Sequence, residues 1–311
     1  MAGGFDASSS PVEPVTHAGA FSKHDGFTLN GCIEIDELRR TQFQQKWGIK
    51  KAFQSFSECG RSGEYDVISI CSPTALHEEH LLAASELAPS LVVCEKPLTD
   101  SMRSAINLHR IYQEKKIPLA VNYSRRWDPR VQELRTELDK GEWGKVVAIF
   151  GIYNGGWINN GSHMVDLLMQ LFGELKVVKA WDNRHDEAHG DTNLSAILIA
   201  TGELPVTIYG IGNSGYSIFE LRIVTTEGVV DMERGGGSWR FRTVEASRMF
   251  RGFSHLGKAQ ESSGNLSQLM RYAVENIYGF LNCGEELKCT GNTAVQVLRV
   301  CHEARECVVQ V

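Results

Sequence analysis

Three apolar runs of strand length, Asp66–Ser72 (DVISICS), Ser90–Cys94 (SLVVC) and Ile117–Asn122 (IPLAVN), do most to limit the folds open to this chain. None alternates polar with apolar, so each predicts a strand buried on both faces. Helical patterns separate them: Thr74–Leu87, then MRSAINLHRIYQEKK capped by Asp100 or Ser101. Upstream, Thr28–Ile35 reads as a further strand. Asp36 is placed to cap the helix ELRRTQFQQKW, and Gly48 to end it. Buried strands alternating with helices predict a doubly wound α/β domain with a parallel sheet, which takes ligands at the carboxyl ends of its strands.

The pattern changes after about Tyr123. Pro129 opens a helix that Gly141 ends. Strand signals then follow at Lys145–Tyr153, Leu175–Trp181, Leu194–Ala200, Val206–Gly212, Ile218–Thr225 and Gly228–Met232, joined by short turns such as ATGELP and TTEGV. Such spacing predicts antiparallel pairing. Arg248–Gly264 is polar and reads as a mobile loop. Helices over Leu266–Leu281 and Thr293–Cys307 close the chain. The expected organisation is a Rossmann-like domain over 1–122 and an α+β domain with an open, mainly antiparallel sheet over 123–311. The 311 residues suit two such cores. Ile197, Ile199, Ile208 and Ile211 send apolar groups to both faces of the second sheet. With few helices left to cover it, that sheet is expected to be buried in a homodimer or homotetramer.

The net charge of −6 argues against a nucleic-acid surface, which needs a basic stripe. No apolar run is long enough to span a bilayer, and the N-terminus lacks the pattern of a signal peptide. The eight cysteines include no C-x-x-C, so neither a metal site nor a disulfide framework is expected, and the setting reads as reducing and cytoplasmic.

Chemistry concentrates where the three buried strands end. Ser72-Pro73-Thr74 with His77 follows the first, Glu95-Lys96-Pro97 the second, and Asn122-Tyr123-Ser124-Arg125 the third. One ion pair at a strand end is ordinary surface; three polar ends at one sheet edge make a ligand cleft. Glu34, at the end of the upstream strand, is placed to accept hydrogen bonds from ribose hydroxyls, which favours NAD over NADP. Arg39 or Arg40 could serve a phosphate instead. In the second domain, Asn160 or Ser162 can cap a helix whose core stripe is Met164, Leu167, Leu168 and Leu171, with His163, Asp166 and Gln170 on another face. A histidine in a first helical turn is held neutral by the dipole, which suits a base. The remaining histidines, His77 apart, read as structural.

Together the segments SICSPTALHEEHLLAA, VVCEKPLTDS, VNYSRRWDP, DKGEWGKV and GGWINNGSHMVDLLMQLFG resemble the Gfo/Idh/MocA oxidoreductases. The resemblance implies an NAD(P)-dependent enzyme acting on a secondary alcohol of a sugar, cyclitol or nucleotide sugar. By position it makes Lys96 and His163 the catalytic pair, with Asn159 and Asp166 beside them. Ser72, Pro73, His77, Glu95, Asn122 and Arg125 would line the cofactor cleft. Relatives that retain NAD as glycosidases, or a non-catalytic dinucleotide-binding regulator, are the alternatives. Two departures stand out. Family members usually carry aspartate where this chain has Asn159, and an amide cannot take a proton. The family also opens with a strand running into Gly-x-Gly-x-x-Gly, whereas this chain begins Met1-Ala2-Gly3-Gly4-Phe5, inside that loop. Gly3, Gly4 and Phe5 would be its remnant, followed by an insertion, Asp6–Val15, before a first helix near Thr16-His17-Ala18. The expectation is a truncated chain whose gene encodes the missing strand upstream; the alternative is a protein that tolerates a damaged site.

Overall fold

The computed structural model describes Ala2 and residues 14–60, 62–182, 190–212 and 215–309. Gly3, Gly4 and Phe5, and most of the Asp6–Val15 insertion, lie outside the described residues. The chain divides into two compact units. The first comprises the residues up to Trp127 together with Ser267–Val295, the second Asp128–Leu266 and Gln296–Val311.

In the first unit, α1 (His17–Lys23) precedes β1 (Gly31–Ile33), α2 (Glu37–Trp47) and β2 (Lys51–Phe53). β3 (Val67–Ile70), α3 (His77–Glu86), β4 (Leu91–Cys94), α4 (Met102–Glu114) and β5 (Leu119–Val121) follow. The helix signals are met closely. Asp36 accepts from the Arg39 amide, and Gly48 ends α2 in the left-handed region at φ 64°. Of the two candidate caps for α4, Ser101 is the one used. The strands are parallel, as expected, but they form two sheets, β1–β2 and β3–β4–β5. Among the described residues no strand joins them, so β1 and β3 each pair along one edge only. The prediction of strands buried on both faces therefore holds for β4 and β5 and fails for β3, which is partly exposed. β2, too short and too polar to leave a pattern, was not expected.

The helix α7 (Leu269–Cys283) belongs to this unit. Met270, Val274 and Ile277 pack with Ala20 and Phe21 of α1 on Leu91, Val93 and Ala120 of the sheet. Trp127 donates to the Asn276 side chain of α7 at 3.1 Å. Across the sheet, Leu81, Ala84, Ala105 and Leu108 of α3 and α4 are fully buried.

The second unit opens with α5 (Pro129–Asp139), β6 (Val146–Tyr153), α6 (Ser162–Phe172), β7 (Leu175–Asp182), β8 (Leu194–Ala200) and β9 (Leu204–Gly210). β10 (Phe219–Thr225), β11 (Gly228–Glu233), β12 (Ser238–Ala246), β13 (Ser254–Leu256), β14 (Gln260–Ser263) and β15 (Val308–Val309) complete its sheet. The last helix, α8 (Gly291–Glu306), gives its first turn to the first unit and the rest to the second. The sheet runs β13-β12-β11-β10-β6-β9-β8-β7-β15, with β14 on β12. It is antiparallel except at β6–β9 and β7–β15. β9 starts earlier than Val206 because Leu204 and Pro205 already pair with Ala200 and Ile199 across a tight turn.

The expected loop over Arg248–Gly264 is a correction: β13 and β14 lie within it. Both are wholly exposed and carry no apolar alternation. They exist because β12, itself unpredicted, offers an edge to pair with. Burial alternates along β8, β9 and β10, whereas β11 is buried over Gly228–Met232. Ile149, Leu198, Ile208, Leu221 and Ile223 are buried, and Met164, Leu167 and Leu168 of α6 are fully buried. The opposite face carries one continuous row across the strands, Ile197–Thr207–Phe150–Arg222–Asp231–Arg240, set by register. Its Ile197 and Phe150, with Ile199 on the same face, are exposed. Among the described residues, no helix is long and apolar enough to cross a membrane.

Candidate functional site

The strand ends of the first unit do gather polar groups, but in a tighter arrangement than their sequence suggests. β4 ends at Cys94, and the next residue, Glu95, is buried. Its carboxylate Oε1 accepts from His17 Nε2 at 2.8 Å and from Asn122 Nδ2 at 2.8 Å. The other ring nitrogen of His17, Nδ1, meets Ser69 Oγ at 2.7 Å, and Ser69 lies 3.4 Å from Cys71 Sγ. α1, β3, β4 and β5 are thus tied at one point by a buried ion pair. Buried charges survive only when paired and hydrogen-bonded, and this pair is both.

The proton affinities follow. Burial alone would lower His17, but the neighbouring Cys71 sulfur and the Glu95 carboxylate outweigh it and raise the imidazole to about 10. Burial alone would raise Glu95. Hydrogen bonds from His17 and Asn122, with the charges of His17 and Lys96, outweigh it and hold the carboxyl below its usual range. The sequence alone makes His17 a structural histidine; its partner Glu95, 78 residues away, becomes visible only with the strands in place.

His77 is fully buried. Nε2 lies 2.9 Å from the Ser72 carbonyl oxygen, and Nδ1 lies 2.9 Å from that of Pro97 and 3.3 Å from that of Leu98. Its ring is committed to the loops after β3 and β4, so it shapes the edge on which Ser72, Pro73 and Lys96 sit through their backbone. Ser72 Oγ meets His80 Nδ1 at 2.9 Å. Lys96 and Arg125 are half-buried in the same unit. Asn122 Oδ1 is buried and has no hydrogen-bond partner among the described residues. An orphaned acceptor after a strand whose neighbours are followed by Ser72 and Lys96 fits a hydroxyl-rich ligand such as a dinucleotide. Glu34 accepts from the Asp36 amide at 3.0 Å. Arg40 is held on the Glu34 and Ile35 carbonyls at 2.6 and 3.3 Å, so its guanidinium serves the strand end.

In the second unit, α6 carries His163, half-buried, and Asp166, buried, on one side of its apolar stripe. Neither Asn160 nor Ser162 caps it, which corrects the expectation. The helix is entered through one π turn, Trp157–Gly161, and no side chain caps it at Gly161. Asn160 Nδ2 donates to the Asn154 carbonyl at 2.7 Å, and Ser162 Oγ to that of Asn159 at 3.2 Å. Asn159 itself is exposed and donates to the Gly155 carbonyl at 3.0 Å. Trp157, fully buried, donates to the Cys301 carbonyl at 2.9 Å. Asp191 is the residue missed here: its carboxylate takes the amides of Ile158 and Asn159 at 3.1 and 2.9 Å. A second omission is Asp231, almost wholly buried on the open sheet face, with Arg222, Arg240 and Arg242 at 2.5, 3.4 and 3.5 Å.

Residues 15–123 match the model of an oxidoreductase family with an NAD-binding Rossmann fold, Gfo/Idh/MocA. Among curated proteins, the inositol 2-dehydrogenase of Corynebacterium glutamicum (strain R) is 27% identical over 133 residues, 42% of this chain and 39% of that protein. The D-apiose dehydrogenase of Paraburkholderia graminis is 22% identical over 241 residues, 72% of this chain and 63% of that one. An NADP(+) scyllo-inositol 2-dehydrogenase of Bacillus subtilis (strain 168) is 26% identical over 163 residues, 47% of this chain and 45% of that protein. The chain thus spans about two-fifths of the length of the inositol dehydrogenases it matches. Among solved structures, levoglucosan dehydrogenase in complex with NADH superposes with a TM-score of 0.79 at 14% identity, over 93% of this chain and 92% of that one. At that identity the likeness speaks for the fold.

The buried pair predicts a pH dependence. Because folding raises the His17 value from 6.5 to about 10, its stabilisation is fully present below about pH 6.5 and is lost as the pH rises through about 10. The Glu95 share, from a lowered value, is lost as the pH falls through it. His17→Gln should cost about 3–5 kcal/mol near pH 6, the range for breaking a buried pair. Denaturant titrations of both proteins should show that difference shrinking between about pH 6.5 and 10. A difference that stays flat over that window would show that His17 is not charged in the folded protein.

Proposed function

With the NAD-binding domain of a Gfo/Idh/MocA oxidoreductase in residues 15–123, we propose that the chain is a dehydrogenase acting on a secondary alcohol of a sugar, cyclitol or nucleotide sugar. The observation that carries this reading is the polar sheet edge of the first unit, where Ser72, Lys96 and Asn122 follow three adjacent parallel strands. The D-apiose and inositol dehydrogenases among its relatives support the substrate class. In this reading residues 1–122 hold the dinucleotide and residues 123–311 hold the substrate. A reducing, cytoplasmic setting remains the reading of eight cysteines without a C-x-x-C pair.

Ser72, Pro73, Arg125 and Asn122 would hold the dinucleotide, with Glu34 on the adenosine ribose. His77 and Glu95 keep that edge in shape from beneath. The bound dinucleotide supplies the hydride acceptor. The substrate hydroxyl must lose its proton as the carbonyl forms, and His163 is the group suited to take it. Asn159, an amide, orients a hydroxyl without accepting the proton. Asp166 lies on the same helix to steady the histidine. Lys96, as an ammonium, stabilises negative charge growing on the oxygen, an effect that is strong where water is excluded.

Stopped-flow and steady-state assays against a panel of cyclitols and sugars test this directly. His163→Ala should lower kcat about 10²–10⁴-fold, the usual range for a positioned base, with dinucleotide affinity little changed. Lys96→Ala should be at least as damaging. Near-normal turnover in His163→Ala would remove the base assignment. Stoichiometric reduction of NAD distinguishes a dehydrogenase from a glycosidase that recycles it, and no turnover on any member of the panel favours a binding protein.

Glu34 also makes NAD the preferred cofactor, because a carboxylate there repels a 2′-phosphate. Fluorescence titration should give tighter binding of NADH than of NADPH. Tighter NADPH binding would assign Arg39 to a phosphate.

The open face of the second-unit sheet supports assembly as a homodimer or homotetramer. Ile197, Ile199, Phe150 and Tyr209 are exposed on it beside the Asp231–arginine cluster, and a large apolar face is uncommon on a monomer. Light scattering at micromolar concentration should report a dimer or tetramer, and Phe150→Glu should dissociate it. A monomeric wild-type protein would refute this.

A further inference from the structure

Four successive backbone amides, from Gly156 to Asn159, are taken by three successive residues that lead into β8. Asn193 Oδ1 accepts from the Gly156 amide at 2.8 Å, and the Thr192 carbonyl from that of Trp157 at 2.9 Å. Asp191 Oδ1 accepts from Ile158 at 3.1 Å and Oδ2 from Asn159 at 2.9 Å. The next two amides, of Asn160 and Gly161, close on the Gly156 carbonyl at 2.9 and 3.0 Å, which forms the π turn. Every donor from Gly156 to Gly161 is thereby accounted for.

Helix starts ordinarily leave their first amides to solvent, to a side-chain cap or to a ligand. Here a strap from another strand end takes them. A π turn is a rare geometry, found mostly as a single turn at functional sites. Asp191 supplies two of the four acceptors, and Arg305 of α8 pins it at 2.9 Å. Gly156 makes the approach possible. Its φ is 90°, and a Cβ there would collide with the Asp191 carboxylate. The buried Trp157 ties the same turn to the Cys301 carbonyl, one helical turn before Arg305. Two residues after this turn stands His163.

We propose that Asp191 is a positioning residue for His163. Its carboxylate, braced by Arg305, fixes the π turn and with it the start of α6, so that the imidazole is presented in one orientation. This rests on the reading of His163 as the base, and the strap itself is defined independently of it. The geometry of Asp191 also excludes one use of this helix start: its amides are not available to bind an anionic substrate group.

The test compares wild type with Asp191→Ala, Asp191→Asn and Arg305→Lys. Hydrogen exchange at the Ile158 and Asn159 amides should quicken at least about tenfold in Asp191→Ala, since both lose their acceptor. Asp191→Asn keeps one acceptor oxygen and should fall between. Arg305→Lys, the milder change if Asp191→Ala does not fold, should shift exchange in the same direction by less. The ring-nitrogen NMR signals of His163, assigned by their loss in His163→Gln, should move or broaden in Asp191→Ala. On the substrate found for the wild type, kcat should fall about tenfold or more while KM changes less than about twofold, because a misplaced base slows chemistry without loosening binding. Unchanged amide exchange would overturn the strap. Faster exchange with unmoved His163 signals would overturn the positioning role. If the wild type oxidises no sugar or cyclitol, the dehydrogenase reading fails, and the exchange and ring signals still decide the role of Asp191.

Discussion

The buried contact between His17 and Glu95 is the point on which the first unit depends. It joins the start of α1 to the end of β4, and through Asn122 and Ser69 it reaches β5 and β3. Hydrophobic burial cannot fix such a junction alone, because apolar contacts are non-directional. An ion pair with two further hydrogen bonds has only one good geometry. The cost of burying its charges is offset there by the hydrogen bonds from Asn122 to Glu95 and between Ser69 and His17. This explains why Glu95, which beside Lys96 reads like half of a surface pair, turns inward while Lys96 stays partly exposed. One strand end therefore carries a buried anion that holds the fold beside a cation that stays partly exposed.

His77 works in the same way with neutral partners. A ring that touches carbonyl oxygens on two loops locks the spacing between the ends of β3 and β4. Any ligand along that edge then meets a backbone already set, which lowers the ordering cost of binding. The histidine that looked like a cofactor contact in the sequence is better described as the reason the contacts around it are fixed.

Local signals were legible in the sequence. Asp36 with Gly48, Ser101, Pro129 and the Met164–Leu171 stripe each act within a few residues, and each is realised. The parallel class and the mainly antiparallel second sheet were legible too, because apolar runs and short turns encode them. What could not be read depends on distant partners. β13 and β14 have no apolar pattern and arise from the edge of β12. Cap chemistry at Asn160 and Ser162 was plausible until Asp191 and Asn193, some thirty residues away, took the amides. Asp231 likewise becomes visible only when register places it between Arg222 and Arg240. The extent of burial misled as well: β3 has the composition of a central strand and the exposure of an edge strand, and among the described residues it pairs along one side.

The two units handle their exposed polar backbone differently, and the difference follows from what each candidate site must do. In the first, side-chain charge is buried to fix strand ends, and hydroxyl and amide groups are left at the edge, where a ligand's hydroxyls can be matched one by one. In the second, the strap leaves no amide of the π turn open, so recognition there falls to side chains. Asn159 is exposed there, and Ile158, Asn160 and His163 are half-buried. For the proton-accepting role proposed for His163, such a turn is suited: its amides are all taken, so none competes with the imidazole for a ligand's polar groups.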